Sequence, residues 1–299
     1  MVVAPYGEAR RLAYFRLICQ QAERVLPSDI SVLAEQVLSE SKKVSSALRK
    51  YKRTTGKMES MNVCYNYLRF CSWLELLKIE GPLVSKNSYT VFLSTLEPGD
   101  GFNLSRIEKL AYFVHLWSHV PDLASSLRIL STSRPTPSGR LVRSNVSEHY
   151  AETYVEWFVD LELATPTRQQ FGGFFLSRIG SAVNPTDSFE SACCAFASSI
   201  LSHDVELSRE VSLDYVWQEL VSLSETLFPH IRNPVDQNLV AVLPVLLHLQ
   251  VRLMLLKHNF IPFDGIVSLA KKATETHSAT FTWDSAYKSG FLRFGDKHA

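Results

Sequence analysis

The stretch Asn62–Thr95 reads NVCYNYLRFCSWLELLKIEGPLVSKNSYTVFLST. Its apolar residues fall at Val63, Cys64, Tyr67, Leu68, Cys71 and Leu74, with Phe70 on the same side. That is the spacing of one buried helical face, so a helix is predicted from about Asn62 to Leu77. Gly81-Pro82 breaks the pattern. The β-branched and aromatic run Tyr89–Leu93 then predicts a short strand, giving the order helix, turn, hairpin.

The pattern returns in the middle of the chain. Tyr150–Leu163, YAETYVEWFVDLEL, lies over Val63–Leu76 at an offset of 87, with Leu161-Glu162-Leu163 matching Leu74-Glu75-Leu76 and Tyr154 matching Tyr67. After a turn four residues shorter, Phe175-Leu176-Ser177 falls over Phe92-Leu93-Ser94 at an offset of 83. An internal duplication is predicted.

A helix ending in Leu-x-Leu, followed by a turn and a short hairpin, resembles the winged-helix superfamily over about 35 residues of each copy. The resemblance implies that the helix is a recognition helix for the DNA major groove and the hairpin a wing beside the backbone. By position it assigns Asn62, Tyr65, Asn66 and Arg69 to the outward face of the first copy and Lys86 to its wing. Asparagine and arginine make bidentate contacts with adenine and guanine edges. The same face of the second copy is His149, Glu152, Thr153 and Glu156, with Arg168 on its wing. Its two carboxylates oppose phosphate, so this copy is expected to pack against protein instead.

Charge supports the asymmetry. Residues 1–100 carry 14 basic and 10 acidic side chains (+4), residues 101–189 carry 8 and 8 (0), and residues 190–299 carry 9 and 12 (−3). The sharpest feature is Lys42–Lys57, where Lys42, Lys43, Arg49, Lys50, Lys52, Arg53 and Lys57 occur with no acid. Val44, Ala47, Leu48 and Tyr51 supply an apolar face to the helix predicted there, leaving Lys42, Lys43, Arg49, Lys50 and Arg53 for solvent or phosphate.

Upstream, residues 8–25 predict an amphipathic helix with arginines at 10, 11, 16 and 24, and Pro27-Ser28-Asp29 a stop and N-cap for the next. Pro98-Gly99-Asp100-Gly101 reads as a linker before a helix at Leu104–Trp117. Beyond Asn184-Pro185 come apolar helices near 188–202, 212–227 and 239–256, a further one at 266–273, and a last strand pair in Phe281–Phe294. This segment leaves open a third, divergent copy.

Several function classes lack their signatures. No P-loop, GxGxxG, GxSxG, HExxH or paired CxxC occurs, so no catalytic residue and no cofactor is assigned. His115 and His119 have i, i+4 spacing but no third ligand, and no metal is expected. Cys193-Cys194 reads as helix packing. The five cysteines, at 19, 64, 71, 193 and 194, form no framework and predict reduced thiols in a cytoplasmic compartment, the nucleoid or nucleus being compatible. The apolar run Val240–Leu256 is interrupted by Pro244, His248, Gln250 and Arg252, which predicts a buried helix and no membrane association.

The expected architecture is therefore mainly α with short β-hairpins, in three domains: a basic winged-helix-like domain at 1–97, a second winged-helix-like domain at 98–185, and a helical C-terminal domain at 186–299. The expected function is non-enzymatic binding of double-stranded DNA by the first domain, within a larger complex. Its residues are Lys42, Lys43, Arg49, Lys50, Arg53, Lys57, Asn62, Asn66, Arg69 and Lys86. The second and C-terminal domains would recruit a protein partner or a second copy. The rival expectation is a winged-helix scaffold that binds only protein.

Overall fold

The computed structural model describes residues 9–48, 58–120, 122–137, 148–167, 173–233, 236 and 238–294. The chain is mainly helical with short strands in small sheets, and it divides into two compact units, residues 1–202 and 203–299. The partition at 97 and 185 predicted above cuts the first unit and begins the last segment before the second.

In the first unit, α1 (Leu12–Val25) leads to β1 (Ser28–Asp29), α2 (Ile30–Leu48), α3 (Met61–Trp73), β2 (Lys78–Glu80), β3 (Leu83–Ser85) and α4 (Ser88–Ser94). The three strands are antiparallel in the order β1-β3-β2, Val84 of the central strand facing Ser28 on one side and Ile79 on the other. One expectation is overturned. Tyr89–Leu93 is helical, and the hairpin precedes it. β-Propensity loses there to a capping box, in which the Asn87 side chain accepts from Thr90 N at 3.0 Å and Thr90 Oγ1 accepts from Asn87 N at 2.9 Å.

The second half of this unit contains α5 (Arg106–His119), α6 (Asp122–Leu127), α7 (Glu148–Asp160), β4 (Ala164–Pro166), β5 (Phe174–Leu176), α8 (Arg178–Ala182) and α9 (Phe189–Leu201). The two halves repeat one backbone turn. After α3, the N–H groups of Leu74, Glu75 and Leu76 donate to Phe70, Ser72 and Cys71; after α7, those of Leu161, Glu162 and Leu163 donate to Trp157, Val159 and Phe158. Every donor and acceptor is shifted by 87. Both turns place a glutamate in the left-handed region, Glu75 at φ 58° and Glu162 at φ 62°. Both then close alike, because the N-cap side chain of the following short helix, Asn87 or Ser177, donates to that glutamate's carbonyl.

The strands correct the predicted alignment. β3 corresponds to β5, not Phe92–Ser94 to Phe175–Ser177, and the second hairpin's turn is longer than the two-residue turn of the first. At the third position of the closing helix, Thr90 in one copy is Gly180 in the other. A Cβ on Gly180 would lie 2.1 Å from Leu163 O, so the second copy closes too tightly for any side chain.

The two copies share one core, organised by α1. Phe15 lies 5.8 Å from the Tyr67 ring and 6.1 Å from Trp157, and Phe70 meets Trp157 edge-on at 5.4 Å. Phe70 and Trp157 are equivalent residues. Arg11 and Arg16, predicted as part of a polar helix face, are instead buried. Arg11 reaches Asp160 at 2.9 Å and Arg16 reaches Glu108 at 2.9 Å, so α1 is ion-paired to both α7 and α5. The predicted linker is held by the same pair, since Arg16 donates to the carbonyls of Gly99 and Gly101 while Glu108 accepts from Gly99 N at 2.7 Å.

The second unit contains β6 (Glu206–Leu207), α10 (Leu213–Ile231), β7 (Leu239–Ala241), α11 (Val242–Lys257), β8 (Asn259–Phe260), α12 (Phe263–Thr276), β9 (Thr280–Asp284) and β10 (Ser289–Arg293). α11 is apolar on nearly every side and runs through the core. Among the described residues no helix is long and apolar enough to cross a membrane. β6 and β8 pair in parallel, and the other strands form an antiparallel sheet in the order β7-β10-β9. With β8 set aside, helix, strand, two helices and a hairpin, the hairpin's second strand central, is also the connectivity of residues 12–85. The segment expected to be a helical domain thus carries a sheet built like the first one.

Candidate nucleic-acid interface

The candidate face is built on α3. Ser60 caps the helix, its hydroxyl accepting from Val63 N, and 3.6-residue periodicity then separates its sides. Cys64, Tyr67, Leu68, Phe70 and Cys71 are buried. Asn62 and Arg69 are exposed, and Tyr65 and Asn66 are half-buried beside them. Of the four residues read from the sequence as the outward face, Asn62 and Arg69 are the fully exposed ones.

Two contacts fix how α2 lies along the approach to α3. Cys64 Sγ donates to Ala34 O at 3.5 Å, and Ser41 Oγ donates to Met58 O at 3.2 Å. As α2 runs from 34 to 41, its neighbours therefore run back from 64 to 58. The exposed Lys42 and Lys43 follow Ser41 directly, beside the segment that enters α3 at Asn62. Lys43 also pairs with Glu40 at 2.6 Å. Arg49, Lys50, Arg53 and Lys57 lie outside the described residues.

Lys86 stands elsewhere. It follows β3 rather than lying in the β2–β3 turn, and it pairs with Glu23 of α1 at 3.1 Å. The turn itself holds Gly81, at φ 61°, and Pro82, flanked by an ion pair between Lys78 and Glu80 at 2.8 Å.

On α7 two of the corresponding positions are turned inward and Glu152 is exposed. Thr153 and Glu156 are buried, and Glu152 pairs with Arg10 at 2.6 Å. Arg168 lies outside the described residues.

The thiols and histidines are held as structural groups. Burial pushes the thiols of Cys19, Cys64 and Cys71 upward, Cys64 to about 12, and at Cys71 the nearby Cys19 and Cys64 add to it. Such thiols are poor nucleophiles. His115 Nε2 meets Leu74 O at 2.7 Å and His119 Nδ1 meets His115 O at 2.8 Å, so both rings face backbone carbonyls. Among the described residues no group of three metal-ligating side chains occurs.

The segment in which the sequence left open a third copy holds a helix with the burial pattern of α3. α12 buries Ile266, Ala270 and Ala273 at its fourth, eighth and eleventh residues, as α3 buries Cys64, Leu68 and Cys71. The signal is present in the Phe281–Phe294 strand pair that follows a short helix. It is masked by the apolar length of α10 and α11. Comparison with known protein families, with characterised proteins and with solved structures returns no match.

Proposed function

We propose that residues 12–85 form a winged helix that binds double-stranded DNA without catalysis, with α3 as its recognition helix. The observation that carries this reading is the Ser41–Met58 contact at 3.2 Å, which sets the exposed Lys42 and Lys43 beside the entry to α3. In this reading cations for phosphate precede the helix that carries an amide and a guanidinium for base edges. The connectivity of residues 12–85 and the strand order β1-β3-β2 support the family reading. In this arrangement Lys42 and Lys43, together with Arg49, Lys50 and Arg53 of the same basic run, neutralise backbone. Asn62, Asn66 and Arg69 face bases. Lys86 acts as a tether to α1.

The test is fluorescence anisotropy of a labelled duplex at about 50 and 200 mM salt. The native chain is compared with one in which Lys42, Lys43, Arg49, Lys50 and Arg53 are neutralised. Each phosphate that is no longer neutralised lowers the salt exponent by about 0.9, so a markedly flatter response in the variant is expected. Equal salt dependence of the two chains would refute the assignment. Absence of duplex binding by the native chain would favour the protein-only scaffold.

A further inference from the structure

We infer that the second unit carries its own duplex-contact surface, formed by Lys271 and Lys272 on α12 and by Tyr287 and Lys288 at the β9–β10 turn. The inference rests on the duplex reading of the first unit. Its starting point is the shared connectivity: apart from β8, which pairs with β6 between α11 and α12, the order α10-β7-α11-α12-β9-β10 repeats α1-β1-α2-α3-β2-β3, and both three-stranded sheets place the last strand in the centre. α12 therefore stands where α3 stands in its own module.

The helices also agree residue by residue. Counting from the first residue of each, Asn62 and Asp264 are second, Asn66 and Ser268 sixth, and Arg69 and Lys271 ninth. Asp264, Ser268 and Lys271 are exposed, and Lys272 extends the cationic face. Asp264 and Glu275 bracket the lysines, confining positive charge to the middle of the helix.

The hairpin supplies the second half. Trp283 on β9 packs against Phe263 at the start of α12, with ring centroids 5.6 Å apart, which holds the turn end of the hairpin against the N-terminal end of the helix. Asp284 accepts from Ala286 N at 2.9 Å and Tyr287 N at 3.3 Å, so its carboxylate is engaged in shaping the turn. Tyr287 is 81% exposed, the most exposed of the large apolar side chains described, and Lys288 adjoins it. A rigid aromatic ring beside an ammonium, on a loop flanked by Ser285 and Ser289, suits stacking on a sugar or base edge with a phosphate contact. A protein-docking surface would need a contiguous apolar patch, and the hairpin's exposed rings, Tyr287 and Phe291, are separated along the chain by Lys288, Ser289 and Gly290.

The experiment uses the full chain. Duplex binding is measured by anisotropy across about 50–200 mM salt for the native protein, for Lys271→Ala/Lys272→Ala/Lys288→Ala, and for Tyr287→Ala. Removing three cations from phosphate would lower the salt exponent by about 2.7, so the roughly 40-fold excess weakening between those salt concentrations should disappear. Tyr287→Ala should weaken binding about 5-fold or more with the exponent unchanged, as stacking is insensitive to salt. All four side chains are exposed, and unchanged thermal unfolding verifies the fold. A native salt exponent in the triple variant overturns this inference and leaves the first unit's role standing. A reduced exponent in the triple variant, with native binding after neutralising Lys42–Arg53, supports this inference and sinks the first unit's role. No duplex binding by the native chain overturns both.

Discussion

Removing the Glu108 carboxylate should cost the first unit more than any surface change. Glu108 is 1% exposed and serves groups from two separate segments as well as its own turn. It holds Arg16 Nη1 at 2.9 and 3.0 Å through its two oxygens, and it accepts from Gly99 N at 2.7 Å and Ser105 N at 2.8 Å. Its own N–H is capped by Ser105 Oγ at 3.2 Å. Glu108→Ala strands a guanidinium that is itself buried, a change worth about 3–5 kcal/mol. Losing half of the capping box adds about 1 kcal/mol. With a urea slope of about 3 kcal/mol per molar, the midpoint should fall by more than about 1 M, followed through the Trp157 region by fluorescence. Replacing both partners, Arg16→Met with Glu108→Leu, should cost well under the sum of the single changes, because no charge is left unpaired. A Glu108→Ala cost below about 1 kcal/mol, or additivity in the double variant, would refute the claim that this pair joins α1 to the second copy.

Other expectations concern single groups. Burial, reinforced by Arg252, lowers His248 to about 4, so the folded state holds it neutral while the unfolded chain takes up a proton below about 6.5. Its contribution is therefore present above pH 6.5 and lost as pH falls toward 4, up to about 3 kcal/mol, and His248→Gln should flatten the pH dependence of the second unit's urea midpoint over that window. Gly180→Ala should destabilise the first unit by about 1–3 kcal/mol in thermal unfolding, since the new methyl meets Leu163 O and no flexible side chain can yield there. A thiol reagent should find only Cys194 reachable in the native chain, slowly because burial and Glu190 raise its pKa, and all five thiols in denaturant.

Much of the organising stretch is legible because helical periodicity writes burial directly into sequence. Cys64, Tyr67, Leu68, Phe70 and Cys71 are inward as their spacing requires, and the Leu-Glu-Leu endings of α3 and α7 mark the same backbone turn. The failures have physical causes. Tyr89–Leu93 has strand-like side chains, but a four-residue capping signal outranks them, and that signal, Asn87 with Thr90, is readable. Charge alone places Arg11 and Arg16 in water. Their partners Asp160 and Glu108 lie 149 and 92 residues away, beyond any local pattern. In the second unit no hydrophobic period separates the faces of α11, so the topology emerges only from strand pairing.

The ninth position of the three corresponding helices draws these results together. It holds Arg69 in α3, Glu156 in α7 and Lys271 in α12. The two cations are exposed and the carboxylate is buried. With its ninth position buried, the middle helix has no place there for a cation to meet phosphate, and the exposed residue on that face is the carboxylate of Glu152. Neighbouring Thr153 is buried as Glu156 is, and Glu152 binds Arg10 from the N-terminal segment. The middle module thus exchanges an outward face for attachment to α1, through Asp160 and Trp157, whose indole donates to Ala9 O at 2.8 Å. Charge at one helical position follows from whether that position faces solvent, and the two modules that keep it in solvent keep it positive. Reversing Arg69 and Lys271 to glutamate should therefore oppose phosphate in both outer modules, while the buried Glu156 stays out of reach of any duplex.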